Sequence, residues 1–177
     1  MNFLQLIHKY YPAGPLRDTL IIHSRSVAEK ALSIANAHPE LHLDKTFLEE
    51  AAMLHDIGIF QTDAPKIGCT GLHRYICHGY LGADLLRKEG YPCHALVCER
   101  HTGAGISLER IRHDNLPLPQ REMLPVTLEE QVICFADKFY SKTHLDREKT
   151  IEKARHSISK HSENDALRFD TWCTRFL

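Results

Sequence analysis

The stretch that decides the fold and the chemistry of this chain is AAMLHDIGIF, residues 51–60. Its apolar first half predicts the end of a buried helix, with His55 and Asp56 in the last turn. An aspartate there is locally unfavourable, because the carboxyl end of a helix is already electronegative. The stretch holds no lysine or arginine that could compensate it. A bound metal ion would do so, since imidazole and carboxylate are ligands of zinc, manganese, iron, cobalt and nickel.

Helical periodicity continues on both sides of this stretch. Apolar residues recur in steps of three and four along residues 16–38, which predicts one long amphipathic helix. Thr46 and Glu49 have the spacing of a capping box, so we expect the next helix to begin there, with Gly58 as its C-cap. Further predicted helices cover residues 3–11, 72–89, 93–101, 127–143, 146–161 and 164–176.

The pattern predicts an all-α fold in a single domain of about seven to nine helices. Within residues 1–177 we expect a metal-binding core over about 16–143, followed by polar C-terminal helices over 146–177. Residues 59–71 contain proline and glycine, residues 113–126 contain three prolines, and both segments are expected to be loops. The last helix is expected to bury four side chains, Leu167, Phe169, Trp172 and Phe176.

The composition excludes several classes of protein. Of 177 residues, 43% are hydrophobic and 25% are charged, which excludes a disordered chain, a coiled coil and a fibrous repeat. The net charge of −1 provides no strong field for nucleic acid or anionic lipid. The first residues do not resemble a secretory signal, no apolar run is long enough to span a membrane, and the six cysteines form no C-x-x-C pair. We therefore expect a cytoplasmic protein with reduced thiols.

Two residues distant in sequence complete the candidate metal ligands. His23 lies on the apolar stripe of its helix, and Asp137 lies on a face that we expect to be buried. Alone, His23 could be a core histidine bonded to a carbonyl, and Asp137 could pair with a basic residue. Lys138 is a poor direct partner, because neighbours in a helix point about a quarter-turn apart. Together with His55 and Asp56, they would neutralise one divalent ion and leave positions open for water.

The order His23, His55-Asp56 and Asp137 resembles the HD superfamily of metal-dependent phosphohydrolases. His23 precedes the doublet by 32 residues, Asp137 follows Asp56 by 81, and the doublet has the HDIG form. The resemblance extends from His23 to about Tyr140 and implies the HD-domain helical fold.

Two further histidines, His78 and His101, strengthen this resemblance. In several HD subfamilies, two extra histidines bind a second metal ion, and Asp56 would then bridge the two ions. The segments around them resemble the YqeK-type diadenosine tetraphosphatases, and Leu-Pro-Leu-Pro at 116–119 resembles small HDIG proteins. The chain lacks the GYP element of cyclic-dinucleotide phosphodiesterases. A helix-packing role for His78 and a helix-terminal role for His101 remain alternatives, as do one metal ion or none.

The resemblance implies hydrolysis of a phosphoester or phosphoanhydride in a nucleotide-like molecule. Two divalent ions of iron, manganese, zinc, cobalt or nickel would lower the pKa of a bound water, with Asp56 as ligand and proton acceptor. We expect substrate contacts from Lys138 and from the turn of Thr102, Gly103 and Gly105, although a plain C-cap and a solvated lysine are the simpler interpretations. No membrane or stable nucleic-acid partner is expected.

Three alternatives remain open from the sequence. The same ligands occur in HD-fold di-iron oxygenases. A non-catalytic nucleotide-binding HD module would also carry part of the pattern, and a structural metal site could connect helices. The other histidines are expected in solvated or loop positions, although His73 could reach the site. The oligomeric state is left open.

Overall fold

The computed structural model describes residues 2–177 and is built mainly from helices, as the sequence predicts. Within the described residues there are nine α-helices: α1 (Phe3–Tyr10), α2 (Pro15–Ala37), α3 (Lys45–Leu54), α4 (His78–Lys88), α5 (Pro92–Arg100), α6 (Leu108–His113), α7 (Leu128–Asp137), α8 (Ile151–Ser159) and α9 (Glu163–Phe176). None of the helices in the described chain has the length and apolar character needed to cross a membrane.

A small sheet follows the HDIG stretch: two of its strands lie in the segment 59–71, expected to be a loop, and the third lies at the start of the helix predicted over 72–89. Its strands are β1 (Thr62–Ala64), β2 (Cys69–Thr70) and β3 (His73–Arg74), in the order β2-β1-β3. β1 pairs antiparallel with β2 and parallel with β3. Strands of two or three residues are too short for an alternating pattern, so this sheet left no signal in the sequence.

The main core lies between α2, α3, α5 and α7, with α9 packed on its outer side. Phe135, on α7, contacts the rings of Phe169 and Phe176, which α9 contributes. Trp172 is also buried, but Leu167 is 55% exposed, so its predicted burial is wrong. All six cysteines are free.

Helix boundaries differ from the prediction where local hydrogen bonds decide them. Thr46 is not the N-cap of α3, because the side chain of Asp44 accepts the amide hydrogen of Phe47 at 3.0 Å. Thr127 does cap α7, as predicted. This helix ends at Asp137 rather than near residue 143, since the next amides bond to carbonyls three residues back.

The remaining differences follow from caps and short elements. The predicted helix over 72–89 begins only at His78, after β3 and one turn of 3₁₀ helix. The side chain of Thr150 caps α8, which therefore begins at Ile151 instead of residue 146. The short helix α6 had no predicted counterpart.

Gly58 fixes the distance between the HDIG stretch and α4. It is not the C-cap of α3, whose cap is His55, and its φ of −86° is available to any residue. A Cβ at Gly58 would lie 2.2 Å from the carbonyl oxygen of His78 and 2.4 Å from the amide nitrogen of Gly82. Glycine is needed here because the backbone of α4 passes directly over it, which brings His78 toward Asp56.

Candidate metal centre

Five helices bring the six predicted ligands together in the interior. His23 lies within α2, His55 caps α3 and is followed by Asp56, His78 begins α4, His101 caps α5, and Asp137 ends α7. The four histidines and Asp56 are almost fully buried, and the side chain of Asp137 is 13% exposed. The site is therefore formed where four helix ends meet the middle of α2.

The first group of donor atoms comes from His23, His55, Asp56 and Asp137. Nε2 of His23 lies 3.1 Å from Oδ2 of Asp56 and 3.0 Å from Oδ1 of Asp137. Nε2 of His55 lies 2.9 Å and 3.5 Å from the same two oxygens. The four donor atoms lie within 4.8 Å of one another, so one metal ion could contact all of them.

The second group consists of Asp56, His78 and His101. Nε2 of each histidine lies 3.4 Å from Oδ1 of Asp56, and the two nitrogens are 3.0 Å apart. These donors also lie within 4.8 Å of one another. Asp56 therefore presents one oxygen to each group.

Backbone contacts fix the tautomer of three of the histidines. In each, Nδ1 lies 2.6–2.7 Å from the carbonyl oxygen three residues earlier, as in His55 with Ala52, His78 with Tyr75, and His101 with Cys98. Because a carbonyl only accepts, Nδ1 carries the hydrogen in a neutral ring, and Nε2 keeps a free lone pair. Metal-binding histidines are commonly oriented by such bonds.

The donor atoms fit a cation better than they fit one another. Nε2 of His23, Nε2 of His55 and Oδ1 of Asp56 are buried and make no hydrogen bond of acceptable geometry within residues 2–177, while Oδ2 of Asp56 forms an ion pair with the ammonium group of Lys142. Buried polar atoms rarely remain in that condition. The facing lone pairs of His78 and His101 likewise suit a shared positive charge. Nitrogen and carboxylate donors in this combination match divalent transition metals.

The electrostatic environment agrees with this fit. Burial lowers the pKa of His78 to about 3 and also lowers that of His101, so both rings are neutral at pH 7. Burial opposes protonation of His55 too, but Asp56 and Asp137 outweigh it and raise its pKa to about 9. The two carboxylates thus attract a cation, whether a proton or a metal ion.

Lys138 differs from its prediction as a poor partner for Asp137. Its Nζ lies 2.8 Å from Oδ2 of Asp137 and donates to the carbonyl oxygen of His101 at 2.9 Å. The prediction is wrong because α7 ends at Asp137, and the long lysine side chain can turn back over the helix terminus.

A cavity of about 580 Å³ lies beside these donors. Thr102 and Gly103 line it together with His78, Asp137 and Lys138. The cavity wall is rich in positive charge, with five basic side chains, Lys66, Arg110, Lys138, Lys142 and Lys149.

Gly105 lies behind the cavity wall. Its amide donates to the carbonyl oxygen of Thr102 at 3.0 Å, and a Cβ there would lie 2.6 Å from Pro125. Thr102 and Gly103 of this turn therefore line the cavity, whereas Gly105 closes the turn through its hydrogen bond and does not line the cavity. His73 lies exposed on β3 and outside the cavity lining.

Sequence reasoning did not single out Lys149 or Arg110. Lys149 reaches the cavity because its amide donates to the carbonyl oxygen of Phe139 at 2.8 Å, and Arg110 because its guanidinium pairs with Asp165 at 2.6 Å. Neither contact has a sequence signature.

The model of the HD domain family matches residues 20–142, and the chain therefore belongs to this family. The HD domain is characteristic of a superfamily of metal-dependent phosphohydrolases. The match begins just before His23 and ends at Lys142, so it includes all six candidate ligands. The narrower likeness to YqeK-type enzymes receives no support from the comparisons.

Three related proteins show how much of this chain and of their own chains the sequence similarity covers. An uncharacterised protein of Methanocaldococcus jannaschii is 30% identical over 81% of this chain and 80% of its own length. A tRNA (cytidine(56)-2'-O)-methyltransferase of Thermoplasma volcanium is 34% identical over 78% of this chain. A protein of the same name from Picrophilus torridus is 32% identical over 70% of this chain. The chain spans only 35% and 32% of these two methyltransferases. No solved structure matches it.

Proposed function

We propose that this protein hydrolyses a phosphoester or phosphoanhydride bond in a small, nucleotide-like molecule, using two divalent metal ions. The observation that supports this most is the position of Asp56, whose two oxygens face two separate groups of buried donor atoms beside a basic cavity. His23, His55 and Asp137 would hold one ion, and His78 and His101 the other. Asp56 would contact both.

The metal ions, when bound, would supply a Lewis acid and a water molecule of lowered pKa. The chain itself supplies position and charge. Lys138, fixed between Asp137 and the carbonyl of His101, directs its ammonium group to the cavity wall. Burial opposes the charge of Lys142, but Asp56 outweighs it and raises the pKa of Lys142. Lys142 therefore keeps its proton and acts as a fixed positive charge beside the phosphoryl group.

The size and lining of the cavity support a small substrate. Its volume lies in the range of about 300–1,000 Å³ that is common for small-molecule sites. Four isoleucine side chains in the lining would offer an apolar surface to the organic part of the substrate, namely Ile67, Ile76, Ile106 and Ile158. Thr102 and Gly103 also line the cavity and would contact phosphoryl oxygens.

The C-terminal helices belong to the same functional unit in this proposal. Ala154 and Ile158 of α8 line the cavity, and Asp165 of α9 holds Arg110 on its wall. We infer that residues 1–177 act as a single domain, because the cavity would lose part of its wall without α8 and α9.

The test is phosphate release from a panel of nucleotides and simpler phosphate esters, with manganese or cobalt as the added ion. We expect activity with at least one compound and a loss of at least a hundredfold in Asp56→Asn, which keeps the size of the side chain. Lys153→Met, on the exposed face of α8, is the matched control and should keep full activity.

Other outcomes would contradict the proposal in different ways. Iron-dependent oxygen consumption without phosphate release would identify an HD-fold oxygenase. Nucleotide binding without turnover would identify a non-catalytic module. Binding of tRNA at the cavity, suggested by the names of the two methyltransferases, would replace the small-molecule substrate.

A further inference from the structure

Two lysines of the cavity lining, Lys66 and Lys149, have no carboxylate within ion-pair distance among the described residues, and of these two Lys149 is half-buried and Lys66 is exposed. Lys142 contacts Asp56 at 2.5 Å, and Lys138 contacts Asp137 at 2.8 Å. Within residues 2–177, the ammonium group of Lys149 makes a single, weak hydrogen bond, which it donates to the carbonyl oxygen of Lys138 at 3.4 Å.

The position of Lys149 is fixed by the backbone. Its amide donates to the carbonyl oxygen of Phe139, which holds the segment after α7 against the cavity. The side chain is half-buried and lines the same cavity as Lys138 and Lys142. Lys149 is therefore a built part of the wall and not a freely solvated surface lysine.

The three lysines together carry more positive charge than the neighbouring carboxylates neutralise. Burial lowers the pKa of Lys149, and the like charges of Lys138 and Lys142 lower it further against the opposing effect of Asp137. An anion in the cavity would relieve this repulsion. Divalent ions on Asp56 and Asp137 would increase the excess positive charge that an anion must balance, because the ions would compete with Lys142 and Lys138 for the same carboxylates.

We propose that Lys149, with Lys138 and Lys142, forms a second anion subsite, which binds a phosphoryl group adjacent to the one at the metal centre. The proposal rests on the proposed function and extends it to the substrate class: molecules with two neighbouring phosphoryl groups rather than a single one. A single phosphoryl group at the metal ions would leave the charge of Lys149 without a partner. A second, neighbouring phosphoryl group would form an ion pair with Lys149.

The experiment compares two phosphonates that cannot be hydrolysed at the site. Methylenediphosphonate carries two phosphoryl groups and methylphosphonate one. Their binding to the full chain is measured by calorimetry, with manganese at the same saturating concentration in both solutions. We expect the diphosphonate to bind at least ten times more tightly, since a hydrogen bond to a charged group contributes about a tenfold difference.

The variant Lys149→Met should lose about tenfold in affinity for the diphosphonate. Its affinity for methylphosphonate should stay within about twofold, because that probe occupies only the metal centre in this account. Lys149→Arg should restore the preference, and Lys153→Met should not change it. Equal effects on both probes, or none in Lys149→Met, would overturn the subsite.

The outcome also separates the subsite from the proposed function. One outcome is phosphate release that is the same in Lys149→Met as in the unchanged protein, both for substrates with one phosphoryl group and for substrates with two neighbouring ones. That result would agree with the proposed hydrolase and would overturn the subsite. Preferential diphosphonate binding that depends on Lys149, in a protein without hydrolytic activity, would support the subsite and contradict the hydrolase.

Discussion

The ammonium group of Lys142 lies 2.5 Å from Oδ2 of Asp56, the carboxylate that both groups of donor atoms share. The same oxygen is 2.9 Å from Nε2 of His55 and 3.1 Å from Nε2 of His23. The lysine side chain is only 12% exposed, so its charge is held inside the protein. Lys142 and a metal ion therefore compete for one oxygen atom.

Replacing Lys142 by methionine should have opposite effects on stability and on ion binding. In chelator-treated protein, Asp56 loses a buried partner, and we expect the free energy of unfolding to fall by about 3 kcal/mol. Ion affinity should rise, because the competing ammonium is gone. Thermal melts with and without manganese measure both effects. Lys160→Met, an exposed lysine, is the control, and a variant whose ion affinity falls would contradict the competition.

The stability of the chelator-treated protein should decrease with rising pH. The pKa of His55 is raised to about 9, from about 6.5 in an unfolded chain. Protonated His55 therefore stabilises the fold fully below pH ~6.5, and this contribution is lost as the pH rises through about 9. The expected loss is about 3 kcal/mol, measured by denaturant unfolding across that range.

Two controls identify the group responsible for this pH dependence. His55→Gln should abolish the decrease, whereas His156→Ala, at an exposed histidine of α8, should preserve it. Saturating manganese should also abolish it in the unchanged protein, because an ion would replace the proton on Nε2. A stability that is constant between pH 6.5 and 9 without metal would disprove the raised pKa.

Gly58→Ala should disturb the second group of donor atoms through the backbone. The new methyl group would collide with the carbonyl of His78 and the amide of Gly82, neither of which can rotate away as a side chain can. We expect a loss of about 3 kcal/mol in stability and a weaker second ion. Ser33→Ala on the exposed face of α2 provides the comparison. Unchanged melting and ion content would show that α4 can move aside.

The sequence predicted the helices that carry the site better than the segments between them. His23 was recognisable because a polar residue on an apolar stripe needs a partner, and His55-Asp56 because no basic residue follows. The start of α3 and the end of α7 were misplaced, since a single side-chain cap decides the first and tightened turns decide the second. The sheet at residues 62–74 has strands too short to leave a pattern.

The charge around the site was harder to predict. Lys138 reaches Asp137 only because the helix ends there, and Lys149 reaches the cavity through a backbone bond to Phe139. Both contacts depend on how irregular segments fold back. Periodicity and spacing describe regular elements and contain no information about such contacts.

The most direct test of the central claim is the number of metal ions per chain. Protein purified under low oxygen and without nickel resin is saturated with manganese, freed of excess ion and measured by plasma mass spectrometry. We predict about two ions per chain, about one in His78→Ala and in His101→Ala, and two in the control His113→Ala. One ion per chain in all four proteins would contradict a centre in which Asp56 joins two ions.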